Sequence, residues 1–177
     1  GQLKLNSDYK DKNMSIWDDG YFTEENYTHG YYKDLGPVAQ RFQTILCGYE
    51  PLPVNEENIH MELGIGFGMS INVHAATNLG SYIGNDFNPA QVQFAQSLAD
   101  ASQAHVSLYE QSFEEMAMRD DLPQCNSISL HGIWNWVSEH NRQHILTIIK
   151  KCLKPGGIVY NSYNVSSGHS AFISWRI

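Results

Sequence analysis

A carboxylate followed by three glycines at alternate positions, Glu62-x-Gly64-x-Gly66-x-Gly68, is the stretch of this chain best suited to hold a ligand. It starts at the end of a short strand pattern, Ile59 to Leu63, and precedes a helical pattern, Met69 to Thr77. A strand turning tightly into a helix leaves backbone N–H groups pointing into a crevice. Glycines there remove Cβ atoms that would keep a ligand off the backbone, and they permit unusual φ/ψ. Asp86 lies 18 residues beyond Gly68, at the end of a second strand pattern, Ser81 to Asp86. An acidic residue about 20 residues downstream, at a strand tip, suits hydrogen bonding to a ribose diol. Dinucleotide folds want a small residue where this chain has Met69, which argues against a nicotinamide oxidoreductase.

The elements that must position these groups alternate. Pro37 opens a helix whose apolar face is Val38, Phe42, Ile45 and Leu46, ended by Gly48 and Pro51-Leu-Pro53. Asn88-Pro89-Ala90-Gln91 is a helix start, with Asn88 capping and Pro89 at the first helical position. Val106–Tyr109 reads as a third strand and Ser127–Leu130 as a fourth, with His131 at its tip. Ser138 begins a helix carrying Ile145, Leu146, Ile148, Ile149, Cys152 and Leu153 on one face. Lys154-Pro-Gly-Gly157 stops it, and a fifth strand runs from Ile158 to about Tyr163. This alternation predicts an α/β fold, Rossmann-like and doubly wound, with a mainly parallel sheet between helices. Ligands of such sheets sit beyond the carboxyl ends of the strands, which places His131 among the reacting groups.

The 177 residues suit one domain with a substantial core. A net charge of −8 without a basic run disfavours a nucleic-acid partner, since phosphate contacts need Lys and Arg. The longest apolar stretch falls short of a membrane span. Cys47, Cys125 and Cys152 lack metal-ligand spacing and read as reduced thiols of a cytoplasmic protein; no metal site is expected. Residues 1–13 are a polar, flexible arm. Residues 14–58 form a helical, aromatic-rich cap, with Trp17, Tyr21, Phe22, Tyr27, Tyr31 and Tyr32 suited to covering a pocket. Glu114 and Glu115 read as solvated surface.

Four pieces together, Glu62 to Gly68, Asp86 with Asn88-Pro89, Leu130-His131-Gly132, and Leu153-Lys-Pro-Gly-Gly157, resemble class I S-adenosylmethionine-dependent methyltransferases in order and spacing. A narrower likeness is to bacterial methyltransferases that often carry a regulatory domain after the catalytic one. It rests on Tyr27-Thr-His-Gly-Tyr-Tyr32, Asn85-Asp-Phe-Asn-Pro89, Ser112-Phe-Glu-Glu115, His131-Gly-Ile-Trp-Asn-Trp-Val137 and Tyr160-Asn-Ser-Tyr-Asn164. The resemblance implies S-adenosylmethionine as cofactor, with S-adenosylhomocysteine as product. It implies Glu62 beside the methionine moiety, Gly64, Ile65, Gly66 and Gly68 under the ligand, and Asp86 and Phe87 at the ribose. Ser112 and Phe113 would flank the adenine. His131, Tyr27 and Tyr31 are the candidates for positioning or deprotonating a methyl acceptor, and His131 is also counted among the cofactor residues. The acceptor is an unidentified small molecule, carbohydrate or protein; the absence of an Asn/Asp-Pro-Pro-aromatic motif after the fourth strand disfavours a base amine. The alternative is a cofactor-binding regulatory or scaffold module without turnover. The family's sheet has seven strands and this sequence supplies five, so residues 59–177 are expected to form a cofactor-binding domain lacking the last two strands. A further C-terminal domain of a longer protein is expected to follow.

Overall fold

The computed structural model describes residues 30–163 together with two short strands, β1 (Trp17–Asp18) and β2 (Tyr21–Phe22), which pair antiparallel. The polar arm 1–13, Tyr27 and residues 164–177 lie outside the described residues.

A 3₁₀ turn, Lys33–Leu35, leads into α1 (Pro37–Leu46). Then come β3 (Ile59–Leu63), α2 (Met69–Thr77), β4 (Ser81–Asp86), α3 (Pro89–Ser102), β5 (Val106–Glu110), α4 (Phe113–Met118), β6 (Cys125–His131), α5 (Glu139–Cys152) and β7 (Leu153–Ser162). The main sheet runs β5-β4-β3-β6-β7, and each of its pairings is parallel. The order matters for function. From β3 the chain winds outward through β4 to β5, then returns to lay β6 on the other side of β3. The connections leaving β3 and β6 therefore diverge, and a crevice opens at the carboxyl ends of those two strands.

Side-chain alternation gives the two faces of the sheet different characters. Met61, Leu63, Ile128 and Leu130 join Phe113, Met116, Ile145, Ile148 and Cys152 in the principal core beneath α4 and α5. The residues between them, His60, Glu62, Ser127 and Ser129, are buried and polar. On that side Gln40 of α1 donates its side-chain N–H to the Leu35 carbonyl at 2.9 Å and to Ser129 Oγ at 2.7 Å. Its glutamine anchors α1, while Val38, Phe42, Ile45 and Leu46 are exposed. The apolar stripe read from the sequence thus faces outward, and Val38, Phe42 and Ile45 line a groove of about 460 Å³ with Pro51, Leu52, Val54, Leu79 and Ile158. α2 also buries polar side chains. Ser70, Asn72 and His74 are buried beside Ile71, whereas Val73 is only partly buried and Ala76 is exposed.

Two boundaries differ from the sequence expectation. Ser112 is the N-cap of α4, a helix not anticipated: its Oγ accepts the Glu115 N–H, and the Glu115 carboxylate accepts the Ser112 N–H at 2.7 Å, a capping box. β7 follows α5 directly. Leu153 pairs with Cys125 and Ile158 with Ser127, so Pro155-Gly156-Gly157 is extruded as a bulge within the strand rather than a loop before it.

Candidate active site

The crevice at the β3/β6 divergence is lined by Glu62, Gly64, Ile65, Gly66, Gly68 and His131, and is closed from above by Gly30, Tyr32 and Leu35. The glycine turn is shaped chiefly by protein neighbours. Gly64 has φ +70°, and a Cβ there would lie 2.5 Å from Ile133 Cδ1; Gly68 has φ +68°, and a Cβ would lie 2.5 Å from Ala95 Cβ. At these two positions glycine serves a left-handed backbone and close packing on α3 and on the loop after β6. Both glycines also line the crevice, so the same positions answer to protein packing and to the open cleft. The Gly64 and Ile65 N–H groups both donate to the Asn85 carbonyl at 3.0 Å, tying the turn to the end of β4.

Asp86 completes that tie. Its Oδ2 accepts the Gly66 N–H at 2.9 Å and its Oδ1 accepts the Asn88 N–H at 3.0 Å. The carboxylate keeps acceptor capacity for a further donor. Burial pushes this carboxyl up to about 6, while the N–H groups of Asn88, Gly66 and Phe87 pull it back down. Glu62 has no such help. Among the described residues none donates a hydrogen bond to its carboxyl, and burial alone pushes it up to about 8. A cation entering beside this carboxyl favours its ionised form, the proton leaving to solvent.

His131 ends β6. Its Nδ1 is hydrogen-bonded to Ser162 Oγ, 2.7 Å away at the end of β7, which fixes the ring. Burial holds the imidazole below its ordinary range, against the opposing charge of Asp34, so it is neutral at pH 7. The Tyr32 ring lies on it with centroids 3.8 Å apart. Tyr32 is held through its backbone: its N–H donates to Ser70 Oγ at 2.9 Å, and its carbonyl is 3.1 Å from His74 Nε2. Tyr31 is half exposed, packs its ring against His74 at 5.2 Å, and does not line the crevice. The two tyrosines alternate direction along an extended segment, and the second of them faces inward.

Phe87 and Phe113 pack toward the principal core, Phe113 almost fully buried. The Ser112 hydroxyl is engaged with Glu115, donating to its carboxylate at 2.9 Å. These residues of the β4 and β5 tips stand beside the glycine turn and outside the crevice itself. Tyr32 stands over the crevice, as expected of the aromatic cap, whereas Ser70, His74 and Ser162 are site residues that the sequence did not single out. Ser162 lies inside the Tyr160-Asn-Ser-Tyr-Asn164 motif, but only tertiary placement brings it to His131.

A sequence profile described as a methyltransferase domain matches residues 61–157, more than half of the chain and the whole span from β3 into β7. The chain belongs to the methyltransferase-domain family. This methyltransferase domain is 37% identical over 157 residues to an uncharacterised protein of Synechocystis, covering 88% of the chain and 31% of that protein. An uncharacterised protein of Rickettsia prowazekii is 26% identical over 161 residues, covering 90% of the chain and 61% of its own length. The chain thus spans about a third of one curated relative and three fifths of the other. Among solved structures, PKMT2 of Rickettsia typhi in complex with AdoHcy superposes with a TM-score of 0.72 at 24% identity, over 81% of this chain and 28% of that one. A phosphoethanolamine N-methyltransferase of Haemonchus contortus, in complex with phosphoethanolamine and S-adenosylhomocysteine, superposes with a TM-score of 0.55 at 16% identity, over 72% of this chain and 26% of that one. These likenesses confirm the Rossmann-like fold. Among the described residues no helix is long and apolar enough to cross a membrane.

Proposed function

We propose that this domain binds S-adenosylmethionine at the β3/β6 crevice and transfers its methyl group to an acceptor admitted beside His131. The reading rests on family membership. The observation in the site that carries it is the pairing of Glu62, buried with no donor among the described residues, with Asp86 across the glycine turn. Glu62 suits an ammonium, as on the methionine end of the cofactor, and Asp86 offers two acceptor oxygens to a ribose diol. The donor set therefore fits the cofactor. The cleft as it stands, about 40 Å³, is well below the 300–1,000 Å³ of pockets for ligands of this size, so the reading requires it to open on binding, and Tyr32, whose ring lies on His131, is a described residue placed to move. When bound, the cofactor supplies a methyl group already activated by the sulfonium.

The chain's own part is positioning and proton handling. Asp86 and the glycine turn hold the nucleoside end, and Glu62 holds the amino acid end. His131, fixed by Ser162, accepts the proton from an acceptor hydroxyl or amine as that atom takes the methyl group. Tyr31 and Tyr27 are retained as acceptor-side candidates, while Phe87, Ser112 and Phe113 form the wall of the adenine end. The acceptor is a small molecule, carbohydrate or protein, and the transfer takes place in the cytoplasm.

Thermal unfolding in the presence of S-adenosylhomocysteine, S-adenosylmethionine or NAD tests the reading. A ligand at 100 times its dissociation constant stabilises by about 2.7 kcal/mol. The midpoint should rise with the two adenosyl compounds and not with NAD, and Asp86→Ala should abolish the rise. A rise with NAD alone, or an adenosyl response that survives Asp86→Ala, would contradict the assignment.

A further inference from the structure

Away from the crevice, α4 and α5 bring together three side chains that the proposed transfer does not use. His140 and His144 stand one helical turn apart on α5, and their Nε2 atoms face each other at 3.0 Å. The rings meet edge to face with centroids 4.4 Å apart. Glu114 reaches the same point from α4, so that one ligand atom from each of the three residues lies within 4.8 Å of the others. Histidines at i and i+4 present two imidazoles to one point, the spacing zinc enzymes use on a helix. Two Zn–N bonds of about 2.0–2.1 Å at a tetrahedral angle span about 3.3 Å, so the observed pair needs to open by only a few tenths of an ångström. Two imidazoles with one carboxylate suit a borderline transition metal and suit Mg²⁺ or Ca²⁺ poorly, because those ions favour all-oxygen shells.

We propose that Glu114, His140 and His144 form a binding site for a divalent transition-metal ion of the zinc type, with a fourth position open to water. This departs from the expectation, drawn from the cysteines, that there is no metal site. The His140-x-x-x-His144 spacing was visible in the sequence, but its partner Glu114 lies on another helix. A bound ion would join α4 to α5 on the core face of the sheet. α4 starts at Ser112, beside the adenine end of the proposed cofactor site, so the ion would also steady that wall.

Calorimetric titration of Zn²⁺ into the tag-free chain tests the site, with Cys47→Ser as the parent background because that thiol is exposed. One equivalent should bind, and 1 mM Mg²⁺ should give no binding heat. His140→Ala and His144→Ala should each weaken Zn²⁺ by at least tenfold, with far-ultraviolet circular dichroism unchanged because both residues lie at the surface. Absence of binding up to 100 μM Zn²⁺, or a loss below tenfold in the two histidine variants, overturns the proposal. A Glu114→Gln variant that binds like the parent overturns the three-ligand site.

Discussion

The protonation state of Glu62 makes cofactor affinity depend on pH in a way that can be worked out beforehand. In the free domain its carboxyl titrates at about 8 because burial strips it of water and no described residue donates to it. The binding-competent pair is an ionised Glu62 with a protonated amine. The ligand's amine stays protonated through pH 6 to 7, so Glu62 alone sets the acid limb there. At pH 7 about one Glu62 in ten is ionised, and at pH 6 about one in a hundred. Affinity should therefore fall about tenfold from pH 7 to pH 6, equivalent to about 1.4 kcal/mol. Asp86, pushed up to about 6, adds a further factor of about two at the acid end. In stronger alkali the amine loses its proton and affinity falls again, so the profile is a bell with its maximum on the alkaline side of about 8. Calorimetric titration with S-adenosylhomocysteine from pH 6 to 10, in buffers of different ionisation enthalpy, reads both the affinity and the protons released. Glu62→Gln should lower the maximum and reduce the acid limb to the small contribution of Asp86. A flat profile between pH 6 and 8, or an acid limb of the same size in Glu62→Gln, would refute the reasoning.

Three further outcomes are expected. First, Glu62 should cost the ligand-free domain stability in alkali. Its folded pKa lies above the unfolded value, so between about 4.5 and 8 the unfolded state binds fewer protons and stability declines as pH rises. Glu62→Gln should then gain about 2 kcal/mol or more at pH 9, seen as a midpoint roughly 4–8 °C higher, with little gain at pH 4.5. His60 acts in the opposite sense: its folded pKa, lowered to about 4 mainly by burial, predicts stability lost as pH falls from 6.5 toward 4. Second, Gly64→Ala should cost about 2–4 kcal/mol in urea unfolding, from the left-handed backbone and the contact with Ile133 Cδ1. Ile133→Val removes that methyl and should restore the packing share but not the backbone share. Third, an aqueous thiol reagent should modify Cys47 rapidly and leave Cys125 and Cys152 until denaturant is added, because both are buried and burial raises their pKa, that of Cys125 to about 12.

The parts of this fold that the sequence revealed are those governed by local chemistry. Ile59-His-Met-Glu-Leu63 alternates as a half-apolar strand, and its bounds coincide with β3. Asn88 and Ser138 cap their helices as read, accepting the N–H groups of Ala90 and Asn141. The α4 capping box was equally local, Ser112 with Glu115 three residues on, and was passed over because the turn was interpreted only as a binding loop. What escaped was decided at a distance. The apolar residues of α1 point outward because Gln40 finds two partners in Leu35 and Ser129, the latter 89 residues away. The choice of Tyr32 over Tyr31 depends on Ser70 and His74 of α2, which no spacing along the chain could show.

The unequal faces of the sheet separate two kinds of mutational tolerance along single strands. On β3, Met61 and Leu63 answer only to the volume of the core beneath α4 and α5, and a saturation library should accept other apolar side chains there. Their immediate neighbours His60 and Glu62 answer to proton equilibria and to the crevice, and should reject residues of equal size but different charge. The same two-residue rhythm should recur on β6, between Ile128 and Leu130 on one side and Ser127 and Ser129 on the other. Homologues can therefore drift in their cores while keeping the polar face, or retune that face for a new acceptor without repacking the core.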